Sequence, residues 1–318
     1  MTYVLLIIGF ALLIKGADYF VVGASKIAAL LRVPPLLVGL TIVAFGTSSP
    51  EATVSIIAAL EGSSDVSLGN VIGSNIFNIT LVVGITALIN PLSVETTTIR
   101  KEIPFTMLAS VALAVLANDI ALQAAGTNLI NRSDGIILLL FFIIFLYYII
   151  EVAINNREQV PDAAAATAGG TWGKNILFTL AGLAAIIFGG DLVVDNATKI
   201  ALSIGMSETL VGLTIVAVGT SLPELITSIT AALKKESEIA LGNIVGSNIF
   251  NILFVLGAAA TISPLAVNDK IFMDIGALII LTLVLLLFSR TRFKISKVEG
   301  VILAVAYISY LVFIILRN

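Results

Sequence analysis

The segments Gly39-Leu-Thr-Ile-Val-Ala-Phe-Gly-Thr-Ser-Ser-Pro-Glu51 and Gly212-Leu-Thr-Ile-Val-Ala-Val-Gly-Thr-Ser-Leu-Pro-Glu224 are identical at eleven of thirteen positions. Each segment places one carboxylate inside a stretch that is otherwise apolar enough to cross a membrane. A charge at that depth costs several kcal/mol and is rarely found there without a functional role. Two such carboxylates in matching positions indicate a cation bound between them.

The composition is that of a membrane protein. The chain has 318 residues, of which 58% are hydrophobic and 12% are charged, with a mean hydropathy of +1.11. Soluble domains carry about 25% charged residues. The net charge of -3 and the absence of a long basic tract argue against a nucleic-acid partner. Without cysteine or histidine, the chain cannot form disulfides, thiolate or imidazole metal sites, or a histidine proton relay.

The apolar stretches predict ten transmembrane helices. A hydrocarbon core about 30 Å thick requires roughly 20 apolar residues per helix. The first stretch has no basic flank before it, so it is expected to be a membrane span and not a cleaved signal peptide. The predicted spans lie at about 3–31, 36–60, 67–89, 99–118, 133–154, 173–203, 209–233, 240–262, 270–289 and 296–316.

The two halves of the chain are repeats. They align without a gap at an offset of 173 residues from about Gly9 to Pro91, and Leu68–Ile79 recurs at Leu241–Ile252. Because five spans per half is an odd number, the second copy must be inverted in the membrane. We therefore expect an all-α polytopic membrane protein with two inverted five-helix repeats, 1–154 and 173–318, joined by a short linker, 155–172. Helices broken at the midplane of inverted repeats are typical of secondary transporters.

Loop charges predict the orientation in the plasma membrane. Twelve basic residues fall on one predicted face and four on the other, with Lys15 inside the first span. The positive-inside rule then places both termini outside and the 155–172 linker in the cytoplasm. The twelve are Lys26, Arg32, Arg100, Lys101, Arg157, Lys174, Lys234, Lys235, Arg290, Arg292, Lys294 and Lys297; the four are Arg132, Lys199, Lys270 and Arg317.

The first repeated motif predicts a helix break beside the carboxylate. Pro50 lacks an N–H and cannot continue the helix, so carbonyls around Ala44 and Thr47 should be freed, and lipid offers them no partner. The spacing Ser48-x-x-Glu51, repeated at Ser221-x-x-Glu224, also fits a capping box for the restarting helix. The alternative is a kinked helix whose glutamate merely caps its own backbone. Two matching copies that can face each other favour the cation site.

The second repeated motif adds a polar stripe. Asn70, Ser74 and Asn78 are spaced four apart on one helix face, and Asn243, Ser247 and Asn251 repeat them. Such residues can also simply hold neighbouring helices together. Beside the two carboxylates, they are expected to complete a coordination shell.

The ligand types predict a hard cation. Oxygen ligands without nitrogen or sulfur favour Ca²⁺, Mg²⁺, Mn²⁺ or Na⁺. Ca²⁺ takes about six to eight oxygens. Two bidentate glutamates supply four, and the carbonyls of Thr47 and Thr220 would bring the total to six. Two carboxylates also neutralise one divalent ion, whereas Mg²⁺ requires a stricter octahedron.

Other paired residues lie in the two long spans. Gly9, Gly16 and Gly23 recur every seven residues, and Gly182 and Gly189 match the first two. The glycines allow close helix approach, either for static packing or for sliding during transport. Paired acids occur at Asp18 and Asp191, where no motif specifies a ligand; we expect them to meet a polar or basic neighbour or to lie near an interface.

The paired Gly-Thr-Ser-x-Pro-Glu and Gly-Ser-Asn-Ile-Phe-Asn blocks resemble the alpha-repeats of the cation/Ca²⁺ antiporter superfamily, specifically its prokaryotic-type Na⁺/Ca²⁺ exchangers. The resemblance covers almost the whole chain. It implies electrogenic export of Ca²⁺ by alternating access, driven by about three Na⁺ per Ca²⁺. It implies a transporter and not an enzyme, with no prosthetic group, Ca²⁺ and Na⁺ as transported ions, and no obligate protein partner.

The resemblance also implies roles for individual residues. Glu51 and Glu224 would bind Ca²⁺ with the carbonyls of Thr47 and Thr220, and would also serve Na⁺. The remaining site residues would have three roles: some would form two flanking Na⁺ sites, some would face the central region between the glutamates, and some would supply hydroxyls beside it. These are Ser74 with the backbone of Ala44 and Thr47, Ser247 with that of Ala217 and Thr220, Asn78 and Asn251 in the centre, and Ser48 and Ser221 as supporting hydroxyls.

Differences between these motifs and those of other branches of the superfamily limit which ions are expected to be transported. Potassium-dependent exchangers carry an aspartate where this chain has Asn251, which argues against K⁺ cotransport. The Ca²⁺/H⁺ branch typically has glutamate-bearing Gly-Asn-x-x-Glu motifs instead of Gly-Ser-Asn-Ile-Phe-Asn. Ca²⁺/H⁺ antiport by the same two glutamates is nevertheless the alternative, and a passive cation channel is a further one. The 155–172 segment is too short to hold a regulatory Ca²⁺-sensing domain.

Overall fold

The computed structural model describes residues 2–156, 171–205 and 217–317. Most of the predicted linker and the beginning of the second signature segment, 212–216, lie outside these residues. The helices of the described part are α1 (Thr2–Leu31), α2 (Pro35–Thr47), α3 (Ser49–Leu60), α4 (Ser64–Ile89), α5 (Thr98–Glu102 continuing as Ile103–Leu116), α6 (Asp119–Gln123), α7 (Arg132–Asn156), α8 (Trp172–Ser203), α9 (Ala217–Gly219), α10 (Leu222–Leu233), α11 (Ser237–Ile262), α12 (Asp269–Arg290) and α13 (Lys297–Arg317).

The helices confirm a polytopic membrane protein. Seven of the described helices are long and apolar enough to cross a bilayer, and α2 with α3, bent by 49°, forms an eighth candidate span. The predicted span 99–118 corresponds to α5, whose first turn carries Arg100, Lys101 and Glu102 and so shortens its apolar length. The predicted span 209–233 begins outside the described residues. Ten spans therefore stay a prediction.

Two short antiparallel ladders join the halves. β1 (Leu92–Ser93) pairs with β4 (Lys294–Ile295), with Leu92 opposite Ile295. β2 (Leu129–Ile130) pairs with β3 (Leu265–Ala266), with Leu129 opposite Ala266. Two-residue strands carry no readable hydrophobic alternation, so nothing in the sequence predicted them.

Glycines let α1 and α8 pack backbone to backbone. A Cβ placed on Gly16 would lie 2.9 Å from the carbonyl oxygen of Gly182, and one on Gly9 would lie 3.0 Å from that of Gly189. The order of these contacts shows that α1 and α8, which are equivalent helices of the two repeats, run antiparallel. The prediction that the glycines permit close approach is confirmed.

The paired acids of the long helices have different surroundings. Asp18 forms an ion pair of 2.6 Å with Lys234, just after α10. This confirms the expectation that Asp18 meets a basic neighbour. Asp191 is exposed, and Asp195 one turn further along α8 lies within electrostatic range of it.

Candidate cation-binding site

The two glutamates lie where a helix breaks and restarts. α2 ends at Thr47 and α3 begins at Ser49, because Ser48 leaves the helical region at φ -83° and ψ 7° and Pro50 follows in the first turn of α3. Ser221 repeats this geometry, at φ -91° and ψ 6°, immediately before α10. Glu51 and Glu224 thus occupy the first turn of their helices, and both are fully buried, with 0% exposure.

Each glutamate is held by the serine of the other repeat. The hydroxyl of Ser48 donates to Oε1 of Glu224 at 2.7 Å, and the hydroxyl of Ser221 donates to Oε1 of Glu51 at 2.9 Å. Neither serine makes a side-chain bond to the N-terminal turn of its own helix. The predicted capping boxes are therefore wrong. A buried carboxylate is a stronger acceptor than a neutral carbonyl, so it accepts the hydrogen bond of the serine hydroxyl.

The carbonyl that loses its helical partner to Pro50 is that of Gly46, which lies between the predicted Ala44 and Thr47. Pro50 lacks the N–H that would reach Gly46, four residues earlier, and the Gly46 carbonyl accepts the hydroxyl of Ser49 at 2.7 Å instead. The Ala44 carbonyl accepts the backbone N–H of Ser48 at 3.0 Å, so the break does not free it, and a cation there would bind through the second lone pair of the oxygen. Leu222 stands where the first repeat has Ser49, and it has no hydroxyl for this bond.

Other predicted site residues lie on helices that pack against those of the two glutamates. Ser247 donates to Oε1 of Glu224 at 3.4 Å. Asn78 and Asn251 are buried at the start of two π-helical segments, Asn78–Val82 and Phe250–Leu256. The first segment packs against α10, the helix of Glu224, and the second packs against α3, the helix of Glu51. Inserted π turns are frequent at functional sites, and they were not predicted because they leave the apolar pattern unchanged.

Five buried oxygens of the predicted site have no hydrogen-bond partner among the described residues. They belong to the carboxylates, to a serine and to the two asparagines. The atoms are Oε2 of Glu51, Oε2 of Glu224, Oγ of Ser74, Oδ1 of Asn78 and Oδ1 of Asn251. Buried polar atoms are nearly always paired, so unpaired acceptors on these predicted ligands fit a cation.

Asn70 and Asn243 serve as connections between helices, which was the alternative interpretation of the polar stripe. Asn70 donates to Ser55 at 2.9 Å and Asn243 donates to Ser228 at 3.0 Å. Their own oxygens are also used. Thr220 donates through Oγ1 to Asn70 at 3.3 Å, and Thr47 donates to Asn243 at 3.0 Å. The threonines are thereby fixed across the repeat interface. Ala217 opens the short helix α9.

Asn75 and Asn248 are contact residues that the sequence reasoning missed. The side-chain amide of Asn75 donates to the backbone carbonyl of Asn248 at 3.1 Å, and that of Asn248 donates to the carbonyl of Asn75 at 3.4 Å. Both residues belong to the Gly-Ser-Asn-Ile-Phe-Asn motif. Their duplication at the 173-residue offset was the signal that could have identified them.

This arrangement can bind a dehydrated hard cation. The described residues that contribute side-chain atoms to the site offer carboxylate, hydroxyl and amide oxygens. No group of three or more acidic, histidine or cysteine side chains with metal-binding geometry occurs in the described part. Two carboxylates then supply the whole formal negative charge, which one Ca²⁺ would neutralise. Their burial without such an ion would be costly.

Comparison with known proteins identifies the family. A family model described as "Sodium/calcium exchanger protein" matches residues 1–151 and 174–316. The chain is 40% identical to the "Putative antiporter CaxA" of Alkalimonas amylolytica, covering 96% of each chain. It is 34% identical to the "Sodium/calcium exchanger MaX1" of Methanosarcina acetivorans, covering 98% of this chain and 97% of the relative.

A solved structure agrees in sequence and fold. It is that of the sodium-calcium exchanger NCX_Mj soaked with 10 mM Na⁺ and 10 mM Sr²⁺. It is 32% identical and superposes with a TM-score of 0.84, covering 98% of this chain and 97% of that chain. The resemblance that the paired motifs indicated is confirmed, and the chain belongs to the sodium/calcium exchanger protein family.

Proposed function

We propose that this protein is a secondary-active antiporter that exchanges Ca²⁺ for Na⁺. The observation that carries the proposal is the set of five unpaired buried oxygens on the two glutamates, Ser74, Asn78 and Asn251. Oxygen ligands select hard cations, and two carboxylates match the charge of Ca²⁺. The exchanger named among the relatives and the solved exchanger structure support the choice of ions.

The ligands divide into a central site and two flanking sites. Ca²⁺ is bound in the centre by Glu51 and Glu224 with the carbonyls of Thr47 and Thr220. Na⁺ is bound beside Ser74, with the carbonyls of Ala44 and Thr47, and beside Ser247, with those of Ala217 and Thr220. Asn78 and Asn251 face the centre, and the hydroxyls of Ser48 and Ser221 support it. The unpaired oxygens of Ser74, Asn78 and Asn251 support this division.

Charge balance makes the exchange electrogenic. The two glutamates carry a charge of about -2 when ionised, so the Ca²⁺-loaded site is close to neutral. A site loaded with about three Na⁺ carries roughly one positive charge. Its movement across the membrane is therefore sensitive to voltage, at about 2.3 kcal/mol per charge per 100 mV.

The architecture we propose is two inverted five-helix repeats in the plasma membrane. The antiparallel course of α1 and α8 supports the inversion. The paired contacts at the 173-residue offset, such as Ser48–Glu224 and Ser221–Glu51, support a two-fold relation between the repeats. The distribution of basic residues in the loops supports an orientation with both termini outside and the 155–172 linker in the cytoplasm.

Alternating access is supported by a difference in burial between α3 and α10, the equivalent helices that follow the two breaks. α1 packs against α10, and Thr227 of α10 is fully buried. Its counterpart Val54 in α3 is 38% exposed. In the proposed orientation α10 lies on the cytoplasmic side of the glutamates and α3 on the extracellular side. In that orientation the greater exposure of α3 favours an outward-facing state.

The driving ion is tested by flux through proteoliposomes. Purified protein is reconstituted in Na⁺-loaded vesicles, which are diluted into Na⁺-free medium containing ⁴⁵Ca²⁺. We expect Ca²⁺ uptake that requires internal Na⁺ and increases when the membrane potential is made positive inside, because each cycle carries one net positive charge outward. Parallel vesicles carry a pH gradient or a K⁺ gradient alone. Uptake driven by the pH gradient, with none driven by Na⁺, would establish Ca²⁺/H⁺ antiport instead.

The contact between α1 and the end of α10 leads to a second prediction. Asp18 of α1 pairs with Lys234, and Ser25 of α1 donates to Glu236 at 2.9 Å, so both bonds hold α1 against the end of α10. The position equivalent to Lys234 in the first repeat is Glu61, which cannot pair with Asp191. The ion pair therefore fixes the cytoplasmic side only.

Charge reversal tests this contact. Asp18→Lys places two lysines together, and we expect it to change the apparent affinity for cytoplasmic Ca²⁺ by about two- to fivefold, the range of a half-exposed ion pair. Combining it with Lys234→Asp should restore the wild-type value. Affinities are measured from ⁴⁵Ca²⁺ efflux at several internal Ca²⁺ concentrations. If the double variant is no better than the single one, the pair does not hold α1.

A further inference from the structure

Four asparagine side chains form one buried network between α4 and α11. Asn75 and Asn248 lie at its centre, 0% and 1% exposed, and each donates to the backbone carbonyl of the other. Each also accepts from an asparagine of the opposite repeat. Asn78 donates through Nδ2 to Oδ1 of Asn248 at 3.2 Å, and Asn251 donates to Oδ1 of Asn75 at 3.2 Å.

The network leaves oxygens, and not nitrogens, unpaired. In a side-chain amide the NH₂ group and the oxygen point in different directions. Because Nδ2 of Asn78 is bonded to Asn248, the direction of its oxygen is set as well, and the same holds for Asn251 and Asn75. Oδ1 of Asn78 and Oδ1 of Asn251 are the buried amide oxygens without a hydrogen-bond partner among the described site residues.

The orientation of these amides matters for a cation. An amide oxygen can bind Ca²⁺ or Na⁺, whereas the NH₂ group is a donor and would repel either ion. Asn78 begins the π segment against the helix of Glu224, and Asn251 lies on the π segment against the helix of Glu51. A rotated amide in either place would replace an attractive contact by a repulsive one.

We infer that Asn75 and Asn248 are positioning residues that hold the amides of Asn78 and Asn251 with their oxygens toward the transported cation. The inference rests on the proposed function, because it requires a cation at the glutamates. Asn248 acts through Asn78, and Asn75 acts through Asn251. Each asparagine of one repeat therefore orients a site residue of the other.

A double-mutant cycle tests this assignment. Asn248→Leu keeps the shape of the side chain but removes the acceptor for Asn78. We expect it to weaken the apparent Ca²⁺ affinity in ⁴⁵Ca²⁺ uptake by about tenfold. This is the size of one polar contact to a charged group, here the contact of the Asn78 oxygen with the cation. In an Asn78→Ala background the same substitution should change the affinity by less than about twofold, because the residue it orients is gone.

A crossed pair is the matched control. Asn248 does not bond the side chain of Asn251, so Asn248→Leu and Asn251→Ala should have effects that nearly multiply. Equal coupling in both pairs would show a general packing role and overturn the inference. Independent effects of Asn248→Leu and Asn78→Ala, whose fold-changes simply multiply, would overturn it as well. Thermal melting without ions shows which variants fold. If Asn248→Leu does not fold, Asn248→Thr, which keeps a hydroxyl, is used in the same cycle.

Failure of the inference is distinguishable from failure of the proposed function. Wild-type vesicles without Na⁺-driven uptake would contradict the function itself. Wild-type uptake combined with an unchanged Ca²⁺ affinity in Asn78→Ala would leave the function in place and contradict the positioning role.

Discussion

Replacing Glu51 or Glu224 by glutamine is expected to abolish Ca²⁺ transport while the protein still folds. Both side chains are fully buried, and each has one oxygen without a partner. Removing one charge of a buried, compensated set costs about 3–5 kcal/mol. Each 1.4 kcal/mol is about a factor of ten in affinity, so Ca²⁺ binding should weaken by roughly 10²- to 4 × 10³-fold.

Two measurements separate binding from folding. Without ions, the glutamine variants should melt at or above the wild-type temperature, because a buried charge has been removed. Added Ca²⁺ should raise the melting temperature of the wild type but not that of the variants, since a bound ligand stabilises only the state that binds it. Glu61→Gln, at the exposed end of α3, is the matched control and should behave as the wild type. Normal flux in Glu51→Gln or Glu224→Gln would contradict the assignment.

A second large effect is expected from Gly182→Ala. A Cβ at this position would lie 2.6 Å from the backbone nitrogen of Phe20 and 2.7 Å from the carbonyl oxygen of Gly16. Alanine favours an isolated helix over glycine by about 1 kcal/mol, so any loss reflects the contact between α1 and α8. Overpacking of this kind costs about 1–3 kcal/mol. We expect a lower melting temperature and transport per folded molecule reduced by about tenfold or more.

The same helix supplies the control for this prediction. A Cβ on Gly173 would meet no atom within 4 Å, so Gly173→Ala should leave stability and transport unchanged. Transport is counted per folded molecule by size-exclusion chromatography before reconstitution. If Gly182→Ala lowers stability but each folded molecule transports at the wild-type rate, the glycines serve static packing and α1 does not slide along α8.

The repeats explain why the main site could be predicted. Glu51 and Glu224 stand out because each is a charge in an apolar segment and because the segment occurs twice. Pro50 and Pro223 also marked the breaks correctly. Both features can be recognised from a few neighbouring residues, because a charge in an apolar segment and a proline in a helix have the same consequence in any fold.

The incorrect and missed features depend on the other half of the chain. Ser48 has the spacing of a helix cap, but its hydroxyl bonds Glu224, which is 176 residues away. Asn75 is bonded to Asn248 and Asn251, and its repetition at the 173-residue offset was the signal for it. The two-residue strands likewise pair one half of the chain with the other. Spacing within one helix cannot reveal such partners.

The most direct test of the central claim is the position of a bound divalent ion. Crystals grown without Na⁺ are soaked in Sr²⁺, a heavier analogue of Ca²⁺, and anomalous diffraction is recorded. We predict a peak in contact with carboxylate oxygens of both Glu51 and Glu224, at distances near the range of about 2.3–2.6 Å that Ca²⁺ adopts. A peak that touches one glutamate alone, or that lies away from both, would contradict the account.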